Sequence, residues 1–326
     1  MIYVHVPFCL SFCRYCDFYS ERCRGGQAEE FDAYIEDLCA EARLRRGQIL
    51  ETMSGVRTLY IGGGTPSVMP HRFFKELLEA LPEGPFEEFT VEVNPEDVVR
   101  RGAGYLRTLR GFGVNRISMG VQSFDDGVLR WMGRRHNART AVEAYRLIRS
   151  AGFDNVSLDI IFGIGSWDGV RASDGRGTFT REMLSETLDQ ILALGPEHIS
   201  AYQLSIEEGS QLAMDLDAGK YAEASDDECA GQYSMICARL QEAGYRHYEI
   251  SNWARPGREA VHNSAYWARV PYVGLGPGAH SLEISRGGRQ RRSWNSESLT
   301  AWTSEGEILS PEEIREETIM LGTRRS

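Results

Sequence analysis

Three cysteines near the start of this chain have the spacing of a metal-binding loop. Cys9, Cys13 and Cys16 form C-x3-C-x2-C directly after a short β-branched run. Three thiolates from one tight loop can hold an iron–sulfur cube, whereas ordinary 4Fe–4S carriers supply four cysteine ligands. The spacing therefore predicts a 4Fe–4S cluster with one iron open to a further ligand, much as a catalytic zinc ion keeps an open position.

The same cysteines have two other interpretations, a zinc site completed by His5 and chance clustering. His5 is a weak fourth ligand because its position along the strand directs it away from the loop. Zinc sites also pair C-x2-C with a distant second pair, which this sequence lacks. We expect Cys39, Cys229 and Cys237 to be buried thiols in helices, whereas Cys23 lies in a polar stretch and is either exposed or packed. The odd total of seven cysteines indicates a reducing compartment.

Short β-branched runs alternate with longer amphipathic stretches from the first residue to beyond residue 200. The runs predict strands over 2–6, 56–61, 88–93, 114–121, 155–161 and 197–204. The stretches predict helices over 27–50, 70–81, 96–111, 125–132, 138–151 and 180–195. Such alternation is typical of parallel strands joined by right-handed crossovers. Six βα units form either an open or partial barrel or a doubly wound sheet.

The pattern changes after residue 204, which suggests a division into a core over 1–204 and a smaller α+β portion over 205–326. In the smaller portion we predict a helix over 226–243 and a strand over 245–250. Within the core, the polar and glycine-rich stretch 165–178 has no periodicity, and we predict a mobile surface loop there.

Polar side chains occur where the predicted strands end. Glu92 ends the third strand, Gln122 the fourth and Asp159 the fifth, and Arg134 follows the next short helix. Function in such folds gathers at the carboxyl ends of the strands. A charge on a parallel strand that is buried on both faces needs a partner or a ligand. We therefore expect these side chains to converge on one cavity beside the cysteine loop.

The composition excludes several classes of protein. The chain has 326 residues, 42% of them apolar, and a net charge of −11. This acidic balance argues against nucleic-acid binding, which needs clustered Lys and Arg, and the basic group at 286–292 is interpreted as an exposed hairpin turn. No run approaches the roughly 20 apolar residues of a membrane helix, and the first ten residues lack the features of a secretory signal. We expect a cytoplasmic protein.

The order of the motifs resembles the radical S-adenosylmethionine (SAM) superfamily. Within that superfamily the chain is similar to the branch that contains the HemW heme chaperones and the oxygen-independent coproporphyrinogen III oxidases. The resemblance covers nearly the whole chain and rests on these segments: YVHVPFCLSFCRYCDFYS, IGGGTPS, EVNPE, RISMGVQSF, GRRHN, LDIIFG, YEISNWA, HNSAYW and GLGPGAHS. It implies a partial (β/α)6 barrel, a 4Fe–4S cluster on the three cysteines, and SAM bound at the open iron.

The resemblance also implies which residues bind SAM: Tyr3, Tyr15, Gly63, Gly64, Thr65, Glu92, Gln122, Arg134 and Asp159. The glycine loop is expected to hold the methionine amino group, because glycine lets backbone approach a ligand closely. A carboxylate such as Glu92 suits the ribose hydroxyls, and Arg134 suits a carboxylate through paired hydrogen bonds. Tyr15 corresponds to the aromatic residue beside the adenine, and simple strand packing is the other interpretation of Tyr3.

Three features favour the chaperones over the oxidases within this branch. The oxidases have a further cysteine two residues after the third ligand, where this chain has Phe18. They also have an arm before the cysteines, for which the nine residues up to Cys9 leave no room. His262 begins HNSAYW, which matches the HNxxYW motif proposed to bind heme in the chaperones. An imidazole is a good axial iron ligand, although the alternative is a structural His262 with Trp267 in the core; His280 is a further candidate.

The leading expectation is a heme chaperone that binds heme and transfers it to apo-hemoproteins, with oxygen-independent coproporphyrinogen III oxidation as the enzymatic alternative. An electron donor such as flavodoxin or ferredoxin is implied as a partner, while contact with a membrane surface stays open. Two departures from the branch are expected to matter. Ile164–Trp167 replaces the usual Leu-Pro-Gly-Gln turn after LDIIFG, and the chain stops at LGTRRS, where relatives continue into a further helical segment.

Overall fold

Six parallel strands lie side by side in chain order at the centre of the fold. The structure, a computed structural model, describes residues 1–23, 28–168 and 176–325. The strands are β1 (Ile2–Val6), β2 (Thr58–Gly63), β3 (Glu88–Val93), β4 (Arg116–Gln122), β5 (Val156–Phe162) and β6 (His198–Gln203). Each strand is joined to the next through at least one helix, as parallel neighbours require. All six predicted strands are confirmed to within about two residues.

Eleven helices accompany these strands in the described ranges. They are α1 (Ala28–Leu44), α2 (Arg46–Thr52), α3 (His71–Ala80), α4 (Pro95–Gly111), α5 (Asp126–Trp131), α6 (Ala138–Ser150), α7 (Arg181–Leu194), α8 (Gln211–Asp217), α9 (Asp226–Glu242), α10 (Val261–Trp267) and α11 (Pro311–Gly322). Local sequence explains their limits. At α6, Asn137 accepts a hydrogen bond from the backbone N–H of Thr140, and Gly152 just beyond the helix has a φ of 92°.

Residues beyond 204 extend the same sheet at both edges. β7 (Arg246–Glu249) and β8 (Asn252–Ala254) add antiparallel strands beside β6, and β9 (Val273–Leu275) runs parallel to β1. The order is β7-β8-β6-β5-β4-β3-β2-β1-β9, so the α/β class is confirmed and the sheet is open over the described residues. Three further strands, β10 (His280–Ile284), β11 (Gln290–Asn295) and β12 (Ser304–Ile308), form a separate antiparallel sheet. The proposed division after residue 204 stays a prediction.

The two faces of the parallel sheet differ in chemistry. On β4, Ile117 and Met119 are completely buried and alternate with Arg116 and Ser118. The neighbouring strands repeat this alternation, and the register pairs Ser118 with Ser157 across β4 and β5. Paired residues share a face, because side chains alternate along each strand. One face is therefore apolar and buried, while the other is lined with polar side chains.

The helix predicted over 27–50 is wrong as a single element. Residue 27 lies outside the described residues, and the rest divides into α1 and α2 at Arg45. The guanidinium of Arg45 donates to the backbone oxygen of Gly274 at 2.7 Å and to the hydroxyl of Ser281 at 2.9 Å. These distant contacts favour a break in the helix that local periodicity does not reveal.

The prediction of a mobile surface loop over 165–178 is wrong at both ends of this segment. Residues 169–175 lie outside the described residues. Ser166–Asp168 pairs in antiparallel register with Arg176–Thr178. Trp167 is only 6% exposed, and its ring stacks on that of Trp131 at 4.9 Å between centroids. Trp131 in turn stacks on Tyr221 at 5.4 Å. The described ends of this segment therefore belong to the packed structure.

The Trp131–Trp167–Tyr221 cluster predicts a stability effect. Trp167→Ala should lower the free energy of unfolding by about 3 kcal/mol, because a large buried side chain is replaced by a cavity. Leu44→Ala is the control, since Leu44 is 86% exposed and its loss should change stability by less than about 0.5 kcal/mol. Urea unfolding followed by circular dichroism measures both variants. Equal midpoints for Trp167→Ala and the unsubstituted protein would show that this segment does not contribute to the core.

Candidate functional site

A cavity of about 610 Å³ opens where the parallel strands end. Its walls come from the cysteine loop, from the polar ends of β2 to β6 and from the loops that follow them. Eleven of the thirteen candidate site residues line it: Cys9, Cys13, Tyr15, Cys16, Gly63, Gly64, Thr65, Glu92, Gln122, Arg134 and Asp159. The structure therefore brings the cysteine loop and the strand-end residues together, although they are far apart in sequence.

The glycine loop after β2 holds one side of the cysteine loop. The backbone N–H of Gly64 donates to the oxygen of Val6, and that of Thr65 to the oxygen of Phe8, both at 2.8 Å. A Cβ atom on Gly64 would lie 2.8 Å from the Phe8 oxygen, so only glycine allows this approach. The hydroxyl of Thr65 lies 3.5 Å from the sulfur of Cys9. The glycine run thus positions the first cysteine.

The turn after α5 and the start of α8 hold the other side of the loop. The backbone N–H of Arg14 donates to the oxygen of Met132 at 3.1 Å, and the oxygen of Arg14 accepts from the N–H of Leu212 at 2.8 Å. The Arg14 guanidinium also pairs with Asp215 at 2.6 Å. Arg134 donates to the sulfur of Cys13 at 3.4 Å. The three cysteines are therefore fixed by contacts from three separate parts of the chain.

The donor set fits an iron–sulfur cluster. Three thiols face a cavity whose remaining walls carry carboxylates, amides and an arginine, which suits a cube with one iron open to a ligand. Within the described ranges, no three His, Cys, Asp or Glu side chains are placed to ligate a single ion in common. A cube needs no such common point, because each of its irons takes one thiolate. His5 does not complete the set, since its Nε2 atom donates to the oxygen of Tyr19 at 2.8 Å.

Glu92 is a buried carboxylate in the wall of the cavity. It accepts from the Tyr60 hydroxyl at 2.7 Å and from the backbone N–H of Gly63 at 3.2 Å. Burial raises the pKa of Glu92 to about 7, against the lowering effect of the Tyr60 hydrogen bond. Its charge therefore changes near neutral pH, and only the ionised form is purely a hydrogen-bond acceptor.

Asp159 and Arg116 place a second carboxylate and a cation deeper in the cavity. The hydroxyl of Ser118 donates to Asp159 Oδ2 at 2.9 Å, and that of Ser157 donates to Oδ1 at 3.1 Å. Burial raises the pKa of Asp159, while hydrogen bonds from Ser200 and from these two serines, together with Arg116, favour the charged form. Arg116 is fully buried, and its Nε atom has no hydrogen-bond partner among the described residues. A buried donor without a partner is a group that a ligand can satisfy.

Gln122 has an unusual backbone at the end of β4. Its φ is 67°, a left-handed value that is uncommon for a residue with a side chain. The ladder to β5 also shifts register between Gly120 and Gln122. Strained backbone of this kind clusters at ligand sites, where the surrounding structure maintains it. Here it accompanies the turn that takes the Gln122 side chain into the cavity wall.

Tyr3 and His262 are not among the residues that line the cavity. The Tyr3 hydroxyl donates to Nδ1 of His5 at 3.0 Å. His262 lies beside the start of β2, where its Nδ1 atom is 2.7 Å from the hydroxyl of Thr58, and only 1% of the residue is exposed. His280 begins β10 and is exposed outside the cavity. The start of β2 is opposite the end that carries the glycine loop, so His262 packs at the far end of the strands, while the neighbouring Asn263 reaches the cavity wall.

Several cavity residues were not singled out from the sequence. They are Tyr60, Arg116, Ser118, Ser200, Tyr202 and Asn263. All but Asn263 are polar residues on β2, β4 and β6 that face the same side of the sheet as Glu92 and Asp159. The available signal was the alternation of polar and apolar residues on strands that were expected to be buried on both faces. Asn263 follows His262 on α10 and had no comparable signal.

Comparisons with known proteins agree with this geometry. The model of the Radical SAM superfamily matches residues 3–168. The heme chaperone HemW of Lactococcus lactis is 36% identical over 281 residues, which cover 85% of this chain and 68% of that protein. HemW of Synechocystis is 35% identical over 99% of this chain and 77% of its own length. The chain belongs to the HemW family of radical SAM proteins.

A solved structure of a related fold supports the architecture. Coproporphyrinogen III oxidase (HemN) from Escherichia coli superimposes with a TM-score of 0.76 over 99% of this chain and 75% of its own, at 21% identity. Identity at this level shows a shared fold and nothing about activity. Membership of the HemW family implies a 4Fe–4S cluster and SAM, and the cysteine loop and the cavity beside it offer ligands for both.

Within the radical SAM fold, each group in the wall has a chemical task that its own atoms can perform. The three cysteines would hold the cluster, which supplies an electron to SAM when both are bound. The Arg134 guanidinium, whose Nε atom has no hydrogen-bond partner among the described residues, can neutralise a carboxylate. Glu92 and Asp159 can accept hydrogen bonds from hydroxyls. These assignments to SAM stay predictions.

The cysteine loop predicts a defined iron content. Anaerobically reconstituted protein should contain about four irons and four sulfides per chain, and Cys9→Ala, Cys13→Ala and Cys16→Ala should each abolish the brown absorbance. Cys23→Ala is the matched control, because Cys23 donates its backbone N–H to the oxygen of Cys9 and lies beside the loop without being one of the three. Iron and sulfide assays measure the outcome. Stoichiometric zinc without labile sulfide would contradict the cluster assignment.

Glu92 predicts a pH dependence of SAM binding. In the predicted SAM site, the ribose hydroxyls would donate more strongly to an ionised carboxylate than to a neutral one. A pKa of about 7 means that the ionised form is lost as the pH falls. We expect SAM affinity to fall about tenfold between pH 8 and pH 6 as the ionised fraction declines. Glu92→Gln should bind SAM weakly and without this dependence, whereas Glu87→Gln, at an exposed position before β3, should keep it. Equilibrium dialysis with labelled SAM tests this, and a steep profile in Glu92→Gln would assign the titration to another group.

Proposed function

We propose that this protein is a heme chaperone that binds heme and passes it to apo-hemoproteins, while a cluster on its three cysteines binds SAM. The observation that carries the proposal is the extent of the HemW likeness, 32–36% identity over at least 85% of the chain for relatives named as heme chaperones. The three cysteines and the polar residues at the strand ends line one cavity, which supports the binding of a cluster and of SAM there. Transfer to an acceptor follows from the function for which the relatives are named.

The exposure of the cysteine loop at the cavity mouth supports the proposal that an external electron donor, such as flavodoxin or ferredoxin, is a partner. Phe18 and Phe12, both on the cysteine loop, are 66% and 55% exposed, so the loop lies at the protein surface. A partner that docks there would bring its redox group close to the cluster. No helix in the described part of the chain is long and apolar enough to cross a membrane. We propose a cytoplasmic location on the basis of this partner and of the reducing environment that free thiols require.

His262 remains our proposed axial ligand of heme, and its surroundings define what binding requires. Its Nε2 atom is buried without a hydrogen-bond partner among the described residues, so one imidazole nitrogen is available for a metal. Burial lowers the pKa of His262 to about 3, which keeps the imidazole neutral, as iron ligation needs. The ring packs between Tyr60 and Tyr266. Heme can therefore reach Nε2 only if α10 moves away from the start of β2.

The contacts that hold α10 in place indicate how it could be released. Glu88 accepts from the backbone N–H groups of Val261 and His262, at 2.8 and 3.0 Å, and so caps the N-terminus of the helix. Thr58 holds the imidazole from the next strand. The seven-residue helix has no side-chain cap of its own at Ala260. A small number of polar contacts thus controls access to His262.

The basic group at 286–292 gives no support to nucleic-acid binding. Arg291 pairs with Glu283 at 3.0 Å, and Arg292 pairs with both Glu307 and Glu317. These charges are balanced within the protein. The oxidase alternative has no specific feature in its favour either, because the HemN superposition shows the fold alone, and Phe18 occupies the position of the further oxidase cysteine.

The proposal predicts heme binding without porphyrinogen turnover. Reconstituted protein with SAM and reductant should bind heme and yield no protoporphyrinogen from coproporphyrinogen III. His262→Ala should weaken heme binding and shift the Soret band, because one coordinate bond is lost. His280→Ala is the control and should leave both unchanged, and iron content should be equal in all three proteins.

Two results would change this assignment. Robust conversion of coproporphyrinogen III would overturn the chaperone function in favour of the oxidase. A Soret band unaltered in His262→Ala but altered in His280→Ala would leave the chaperone function in place and move the axial ligand to β10. Heme titrations followed by absorbance, together with product analysis by chromatography, distinguish these cases.

A further inference from the structure

A row of hydrogen bonds leads from Asp159 away from the cavity, through side chains that the proposed SAM chemistry does not use. Ser157 donates to Asp159 Oδ1 at 3.1 Å, and its oxygen lies 2.8 Å from Nδ1 of His198. Nε2 of the same imidazole lies 2.8 Å from the hydroxyl of Tyr248 on β7. The Tyr248 oxygen accepts from the backbone N–H of Ala260, which precedes α10, at 3.3 Å.

The chemistry of these groups gives the row a direction. Because Tyr248 accepts from a backbone N–H, its own proton is available for Nε2 of His198. Burial, with Arg116 nearby, holds the pKa of His198 well below its ordinary value, so the imidazole is neutral and carries one proton. With Nε2 accepting, that proton is on Nδ1 and is donated to Ser157. The one proton of Ser157 is then free to be donated, and Asp159 Oδ1, at 3.1 Å, is a nearer and charged acceptor compared with the Ser200 hydroxyl at 3.4 Å. Every donor in the row then points toward the carboxylate.

We propose that Ser157, His198 and Tyr248 form a directional hydrogen-bond chain that orients Asp159 and maintains its carboxylate as an acceptor toward the cavity. These three are positioning residues that act through Asp159. The chain deepens the proposed SAM site, and its contribution to ligand binding rests on that proposed function. No proton is transferred in this account, since the chain only fixes where each proton lies. Aligned hydrogen bonds polarise one another, so the outer donor strengthens the inner one.

Other groups also act on Asp159, and the test must separate them from the chain. Ser118 on β4 donates directly to Oδ2. Ser200 on β6 also hydrogen-bonds Asp159 and lowers its pKa, and its hydroxyl lies 3.4 Å from that of Ser157. The other ionisable groups that face it across the cavity are Tyr60, Glu92, Arg116 and Tyr202. Neither Tyr248 nor His198 touches the cavity. Tyr248 can act on Asp159 along these hydrogen bonds or through Arg116, which interacts with both groups. Only the first route is lost when Ser157 is replaced.

The experiment is a double-mutant cycle between the two ends of the hydrogen-bond chain. It uses the whole protein with its reconstituted cluster. The variants are Ser157→Ala, Tyr248→Phe and their combination. Tyr245→Phe is the matched control, because its hydroxyl donates to the oxygen of Pro196 outside the chain. Infrared difference spectra against Asp159→Asn report the protonation of Asp159 as a function of pH. Nitrogen-15 NMR reports the His198 tautomer, and SAM affinity is measured on the same samples.

We expect Ser157→Ala to raise the pKa of Asp159 by about one unit, because one hydrogen bond to the ionised form is lost. Tyr248→Phe should raise the pKa of Asp159 by a smaller amount and lower the population of the His198 tautomer that is protonated on Nδ1. Once Ser157 is replaced, Tyr248→Phe should have no further effect on this pKa. Tyr245→Phe should change neither quantity. SAM affinity should fall about tenfold in Ser157→Ala and less in Tyr248→Phe.

Two spectroscopic results would overturn the chain: a proton on Nε2 of His198 in the unsubstituted protein, or an equal effect of Tyr248→Phe with and without Ser157. These readouts need no SAM. If the spectra behave as expected but the unsubstituted protein does not bind SAM, the chain stands and the proposed SAM site fails. If SAM binds but the effects of Ser157→Ala and Tyr248→Phe on the pKa of Asp159 are independent, the SAM site stands and the hydrogen-bond chain fails.

Discussion

The rest of this structure depends on the burial of charge on one face of a parallel sheet. Glu92, Arg116 and Asp159 are inside the fold, on strands whose opposite face packs against helices. Burying an unpaired charge is far more costly than the net stability of a domain allows. These groups therefore need one another, the serine and tyrosine hydroxyls around them, and a ligand. The cavity is the consequence, because close packing on that face would leave their polar atoms without partners.

The same constraint explains how the cysteine loop is held. The polar face ends where the strands end, so the glycine loop, the turn after α5 and the start of α8 all lie at the mouth of the cavity. Each contributes backbone contacts to the loop, and the approach of Gly64 to Phe8 leaves no space for a side chain. A cluster on this loop would be fixed relative to Glu92 and Asp159. At the opposite end, α10 closes the sheet with His262 inside, so the cluster loop and the proposed heme ligand lie at separate ends of the same strands.

The sequence predicts most of the fold and most of the residues that line the cavity. It does not predict which of its polar side chains are deeply buried. The six strands and the convergence of Glu92, Gln122, Arg134 and Asp159 follow from periodicity and from the parallel arrangement. Arg116 was missed because a charge at the start of a strand looks the same whether it faces solvent or the interior. The division of the first helix at Arg45 and the burial of Trp167 depend on partners that are distant in sequence, Gly274 and Trp131. His262 shows the same limit, since its motif is recognisable in the sequence but its burial beside Thr58 is not.

The central claim is that the open iron of a three-cysteine cluster and the polar face of the sheet bind one SAM molecule together. Electron–nuclear double resonance on the reduced cluster, with SAM labelled in its amino nitrogen and carboxylate oxygens, tests this claim most directly. The account predicts hyperfine coupling from both labels in the unsubstituted protein. It also predicts that the coupling from the carboxylate is altered in Arg134→Lys, which keeps the charge but loses the paired donors. An intact cluster that binds SAM without coupling to either label would contradict the account.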